Sequence, residues 1–161
     1  MKLIEKDVFL RSFPVLSDQS YDLLIGSGAS VNSGIPTGGE LVWYFKREIL
    51  NSKGIINGKK FTDLKIEDNK RIIQQHFNQR GDENIPNPYS YYFEECYPDP
   101  NVRKDFLTNI VRDKKPSIGF HCLASLVEHR RLDIVWTSNF DDLIEKAISA
   151  HNYQSCQIVS P

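Results

Sequence analysis

Apolar positions along this chain fall into two kinds of run. Residues 21–25 (Tyr21-Asp22-Leu23-Leu24-Ile25) and residues 134–137 (Ile134-Val135-Trp136-Thr137) are short and dense in aliphatic and aromatic side chains. The first stops at Gly26 and the second is closed by Asn139. Runs of that length and composition predict buried strands. A third β-type run starts at Gln154 and reaches Val159. The other kind has helical spacing. Residues 40–51 carry Leu41, Val42, Tyr44, Phe45, Ile49 and Leu50 on one stripe. Residues 66–79 predict a polar helix, and further helices fall near 89–96 and 101–113, separated by Pro98 and Pro100. Phe106, Leu107, Ile110 and Val111 give the latter its apolar face. After Pro116, Ser117 is placed to cap a helix bearing Phe120, Leu123, Ala124, Leu126 and Val127, with Arg130 and Arg131 at its cation-favouring end. Asp141 and Asp142 put acids at the start of one more helix. Residues 4–20 read as a helix ended near Pro14, and residues 52–60 and 81–90 as loops. Strand, helix, helical insertion, helix, strand, helix, strand is an α/β order that implies a parallel sheet.

The first strand leads into Gly26-Ser27-Gly28-Ala29-Ser30, and a second glycine-rich loop, Gly34-Ile35-Pro36-Thr37-Gly38-Gly39, follows closely. Small residues after a strand let backbone N–H groups approach a pyrophosphate, and the next helix start adds positive partial charge. The dehydrogenase fingerprint fails, because Val31 stands where it needs glycine and Glu48, at the distance of its ribose-binding acid, lies mid-helix. A purely structural tight turn is the alternative at this point.

Composition narrows the classes. Twenty Lys and Arg face 21 Asp and Glu, a formal charge of −1, which argues against a dedicated nucleic-acid binder. With 161 residues, 40% hydrophobic, the chain suffices for one domain or the front part of a larger one. Cys96, Cys122 and Cys156 have no metal-ligand spacing and no even pairing, so no metal site and a reducing compartment are expected. The charged N-terminus lacks the apolar core of a secretory signal, and no run approaches the ~20 apolar residues that span a bilayer. The expectation is a cytoplasmic protein without a membrane segment.

Three motifs in order carry a resemblance. Gly26-Ser27-Gly28-Ala29-Ser30 with Gly34-Ile35-Pro36 resembles the first sirtuin motif, Gly-Ala-Gly-x-Ser followed by Gly-Ile-Pro. Pro116-Ser117 with His121, Leu123-Ala124 and Leu126 resembles the family's Pro-x-x-x-His-x-x-Leu-x-x-Leu helix. Thr137-Ser138-Asn139-Phe140-Asp141-Asp142-Leu143 resembles its Thr-Gln-Asn-Ile-Asp-x-Leu motif. The resemblance covers roughly 20–150, apart from a helical insertion at about 45–112. It implies a Rossmann-like parallel sheet of the sirtuin (NAD/FAD-binding) type, with 1–161 the N-terminal part of one domain whose remainder lies beyond the given chain. It also implies NAD+ as substrate. Gly26, Ser27, Gly28, Ala29, Ser30, Gly34, Ile35, Pro36 and Ser138 would bind it. Asn139 would position the nicotinamide ribose or the attacking water, and Asp141 would read the carboxamide, both in catalytic roles. Each has a plainer alternative: Asn139 as the N-cap of a helix starting near Phe140, and Asp141 as a first-turn helix acid.

Departures from the motifs favour one branch. Deacylating sirtuins follow Gly-Ile-Pro with Asp-Phe-Arg, where this chain has Thr37-Gly38-Gly39. Phe140 and Asp142 also replace the usual Ile and Gly or Asn. The variant looks like bacterial sirtuin-like NAD+ hydrolases of antiphage defence, which cleave the nicotinamide–ribose bond in abortive infection. These are fused to or paired with a sensor (an Argonaute-like protein, a helicase-like ATPase or a helical repeat region), or they form homo-oligomers. A protein deacylase and a non-catalytic NAD or ADP-ribose scaffold remain alternatives. The family's general-base histidine follows the next strand. His151, the only histidine after Asn139, sits in a helix tail, and His76, His121 and His129 read as helix residues. A fragment without that base would be weak or inactive by itself. The basic residues Arg103, Lys104, Arg112, Lys114 and Lys115 predict a solvated face, and Tyr89, Tyr91, Tyr92, Phe93 and Tyr97 predict core packing or an oligomer interface. Trp43 and Trp136 are expected in the core.

Overall fold

The computed structural model describes residues 4–13, 20–57, 61 and 63–151. In chain order its elements are α1 (Lys6–Ser12), β1 (Tyr21–Ile25), a 3-10 helix (Ser27–Ser33), α2 (Gly38–Ser52), α3 (Glu67–Gln79), α4 (Pro88–Cys96), α5 (Pro100–Val111), α6 (Ile118–Glu128), β2 (Leu132–Thr137) and α7 (Leu143–Ala150). This is a mixed α/β architecture, mostly helical, with one two-stranded parallel sheet among the described residues. The run from Gln154 to Val159 lies outside them. The chain divides into two units, one of residues up to 26 and from 116, the other of residues 27–115.

In the first unit β1 and β2 pair in parallel, with Leu23 opposite Val135, Leu24 opposite Trp136 and Ile25 opposite Thr137. Alternation along a strand sends Asp22 and Leu24 to one face and Leu23 and Ile25 to the other. Helices α6 and α7 pack together and bury Phe120, Leu123, Ala124, Leu143, Ala147 and Ile148. Phe13 stacks on Tyr21 with ring centroids 5.3 Å apart, attaching the end of α1 to the first strand.

The sequence predicts Trp136 in the core, but it is 60% exposed. Its cross-strand partner Leu24 is 77% exposed and Ile134 is 44% exposed. The same face of the two strands therefore carries three uncovered apolar side chains. Apolar composition identified the strands, but burial also depends on what packs over a face. A second difference lies at α7. It starts at Leu143 rather than near Phe140, and Asp142, not Asn139, holds the N-cap position.

The second unit is a helical packing centred on α2. Leu41, Phe45, Ile49 and Leu50 form its buried stripe, joined by Ile73 and Phe77 of α3 and Tyr92 and Phe93 of α4. Phe45 stacks on Phe93 at 4.7 Å between centroids, so the α4 aromatic cluster is core packing, with Tyr91 left exposed. Proline at the first turn sets where α4 and α5 begin, and the Asn87 and Asp99 side chains accept the N–H groups of Ser90 and Asn101. Arg103 donates to the carbonyls of Tyr97 and Pro98, 2.8 Å each, so one cation of the basic cluster fastens the α4–α5 corner.

Lys46 is buried at 7% exposure in this unit. Its ammonium lies 4.6 Å from the Tyr92 ring centroid, 5.0 Å from Trp43 and 5.3 Å from Phe77, and donates to Gln74 Oε1 at 2.7 Å. Burial lowers its pKa, against a raising influence from Asp82. The three ring faces supply cation–π attraction in place of water.

Candidate functional site

β1 ends at Ile25 and β2 at Thr137, directly opposite each other, so both chain segments leave the sheet at the same carboxyl edge. Ligands of open parallel sheets bind at that edge. Ser138 N donates to Ile25 O at 3.3 Å, which extends the pairing by one step. Asn139 Nδ2 then donates to Gly26 O at 3.2 Å, across 113 residues of sequence. Its own backbone N–H donates to Thr137 Oγ1 at 3.0 Å. Gly26, Ser138 and Asn139 are thereby brought together. The N-cap alternative for Asn139 does not hold, since its amide is used across the sheet edge and α7 starts later.

Asp141 Oδ1 accepts the Leu143 N–H at 3.2 Å. Asp141 lies before α7, whose first-turn acid is Glu145, so the first-turn reading of Asp141 does not hold; its carboxylate meets the helix start from outside. A single carboxylate has several acceptor positions, so that bond is compatible with a second role.

Gly26, Ser27, Gly28 and Ala29 are exposed, while Ser30 is only 1% exposed. The segment forms a 3-10 helix, not an open turn. Among the described glycines, positive φ occurs at Gly34, Gly54 and Gly81, so neither Gly26 nor Gly28 needs left-handed backbone. A Cβ on Gly28 would meet nothing within 4 Å. The tight-turn explanation therefore does not account for that residue. Gly34 is different: its φ is +78° and a Cβ there would come 3.1 Å from Lys114 Nζ, so the fold itself requires glycine. Ile35 is buried, and its N–H donates to Ser30 O at 3.2 Å, closing the turn from 30 to 35.

The segment that follows Pro36 is not a loop throughout. Thr37 Oγ1 accepts the Glu40 N–H at 3.2 Å, and Glu40 Oε2 accepts the Thr37 N–H at 2.7 Å, a reciprocal capping box. The Thr37 bonds hold the Glu40 carboxyl below its ordinary pKa.

In the first unit His121 lies in α6, and His129 and His151 hold the C-cap positions of α6 and α7. His151 follows α7, whose eight residues carry it about 12 Å along the axis from the helix start. It faces His121 at 5.7 Å between ring centroids, and its Nδ1 is 3.7 Å from Glu128 Oε2. His129 Nδ1 sits 2.8 Å from Ser125 O. Cys96 is half-buried, and burial pushes its thiol up to about 11, away from the thiolate form. No group of three or more His, Cys, Asp and Glu suited to a metal occurs among the described residues, and no helix among them is long and apolar enough to cross a membrane.

Sequence reasoning missed one feature, a cavity within the second unit. Its lining joins Trp43, Tyr44 and Arg47 of α2 to Lys65, Lys70 and Phe106 from later segments. Trp43, Tyr44 and Arg47, within about one turn of α2, were its trace in the sequence.

Neither a scan against protein-family models nor a search of curated proteins finds a match to this chain.

Proposed function

We propose that this chain supplies the nucleotide-binding part of a sirtuin-like NAD+ hydrolase, an effector of antiphage defence that releases nicotinamide and ADP-ribose. The observation that carries the reading is the Asn139 Nδ2–Gly26 O bond of 3.2 Å at the carboxyl edge of the parallel pair. Gly26 and Asn139 come from two sequence-distant motifs that resemble motifs of the same family, and the carboxyl edge they share is where parallel sheets bind nucleotides. The open space over Gly28 supports it further, because a pyrophosphate can approach that backbone without meeting a side chain.

The chemistry asks for little covalent participation by protein groups. The ribose C1′–nitrogen bond breaks, and its electron pair leaves with the nicotinamide ring and neutralises the ring's positive charge. Water adds to C1′ and its proton passes to bulk solvent. Asn139 would orient the ribose or that water, and Asp141 would hold the carboxamide, so the contribution is orientation and charge stabilisation. The antiphage hydrolase is favoured over the deacylase by the segment after Pro36. Thr37 is occupied by its capping box with Glu40, and Gly38 and Gly39 offer no side chains, so nothing there can do the work of Asp-Phe-Arg.

Calorimetry with NAD+ and chromatographic measurement of nicotinamide test the two halves separately, on a polypeptide that carries these residues together with the family's general-base histidine. Gly28→Val is expected to weaken NAD+ binding at least tenfold by filling the approach to the backbone. Asn139→Ala is expected to cut nicotinamide release at least tenfold with a smaller loss of binding. Equal release from Asn139→Ala and the parent overturns the assigned role, and unchanged binding by Gly28→Val overturns the site.

A further inference from the structure

Glu145 is the third residue of α7 and the acid of its first turn. Its Oε2 is out of reach of solvent and meets no hydrogen-bond donor among the described residues. A buried carboxylate oxygen without a donor costs free energy, and native proteins keep few of them. The positive end of α7 favours an acid at this position but gives Oε2 no hydrogen bond.

The helix start follows directly from the sheet edge. β2 ends at Thr137, Asn139 bonds Gly26 O, and Asp141 Oδ1 accepts the Leu143 N–H at the head of α7. Cα–Cβ bonds of a helix tilt toward its N-terminus, so the Glu145 side chain leans toward the segment that leaves the edge. The nearby charges have other partners. Asp142 Oδ1 pairs with Lys146 Nζ at 2.8 Å, and at the far end of α7 His151 Nδ1 lies 3.7 Å from Glu128 Oε2. Between residues 139 and 146, Asp141, Asp142 and Glu145 face Lys146 alone. Such a balance repels a phosphate and suits a neutral donor such as a hydroxyl.

We propose that Glu145 is a further substrate-contacting residue, its buried Oε2 accepting a hydrogen bond from a hydroxyl of the nicotinamide ribose. The assignment rests on the NAD+ reading of the sheet edge and extends it to a residue outside the Asn139 and Asp141 motif. With Asp141 on the carboxamide, the ribose hydroxyls are the neutral donors left beside Asn139.

The test titrates NAD+ and its analogue with a 2′,3′-dideoxy nicotinamide ribose into the same polypeptide, by calorimetry. The parent is expected to bind NAD+ at least about tenfold more tightly than the analogue, the worth of one hydrogen bond to a charged acceptor. Glu145→Leu is expected to weaken NAD+ by the same factor and to leave the analogue within about twofold. Its urea midpoint should equal or exceed the parent's, because the lost oxygen has no donor in the fold. Glu145→Gln, which keeps an acceptor oxygen, should retain most of the preference for NAD+. No binding of NAD+ by the parent overturns the reading of the sheet edge and this assignment with it. Binding of NAD+ with no preference over the analogue, or equal weakening of both ligands by Glu145→Leu, overturns the role of Glu145 alone.

Discussion

Single residues carry different burdens in the two glycine-rich stretches, although in the sequence they look alike. Gly34 is fixed by its backbone: φ is +78° and Lys114 Nζ stands 3.1 Å from where a Cβ would be. Gly28 has ordinary φ and empty space beside it. Gly34→Ala is expected to destabilise by about 1–2 kcal/mol, the cost of holding an L-residue left-handed. Gly28→Ala should leave stability unchanged or raise it by up to about 1 kcal/mol, since it restricts the unfolded chain without straining the native one. Urea denaturation of both variants checks this, and equal losses would return Gly28 to a structural role. That distinction was invisible in the sequence, because composition shows where glycine is and not which φ it takes. Asn139 shows the same limit. Its motif placed it correctly at the end of a strand, but the identity of its partner, Gly26 O, required the register of two strands far apart in the chain.

At the level of elements, punctuation in the sequence proved more informative than periodicity. Pro88 and Pro100, which the sequence places in the connections before helices at 89 and 101, are themselves the first residues of α4 and α5. Thr37-Gly38-Gly39-Glu40 has the spacing of a capping box, yet its glycines suggest a loop. The reciprocal bonds of Thr37 and Glu40 win, and α2 starts at Gly38. The α3–α4 junction depends instead on charges that no local pattern announces. Arg80 binds Glu95 at 2.5 and 2.8 Å and also pairs with Asp82, while Lys53 reaches Glu95 at 3.0 Å. The Arg80 bond, helped by Lys53, lowers the Glu95 pKa below its ordinary 4.5, against the opposing effect of burial. A carboxylate with a depressed folded pKa stabilises fully above its unfolded value, and the contribution disappears as pH falls through the folded one. Unfolding midpoints in urea should therefore drop between pH 7 and pH 3. Arg80→Met should be less stable at pH 7 and should lose less on acidification, because part of the acid-sensitive term is already gone. Parallel losses in parent and variant would show that this network does not contribute to stability.

For the molecule as a whole, the sequence conveyed the class of architecture and the order of elements but not how completely the sheet is covered. Each strand announces itself by its own residues, whereas cover for a face comes from other parts of the chain or from another molecule. The cavity in the helical unit was hidden for a related reason: its walls come from α2, the 63–65 turn, α3 and α5, which no local window contains. The two tryptophans allow a direct test. Trp136 is 60% exposed on the sheet face, and Trp43 is partly buried beside Lys46 and Lys70. Trp43→Phe leaves Trp136 as the reporter, and its emission should be red-shifted and readily quenched by acrylamide. Trp136→Phe leaves Trp43, whose emission should lie further to the blue and resist the quencher. If Trp136 instead resists quenching in dilute, monomeric protein, the face formed by Leu24, Ile134 and Trp136 is covered in solution. The apolar residues of both strands then form the buried core that their composition predicted.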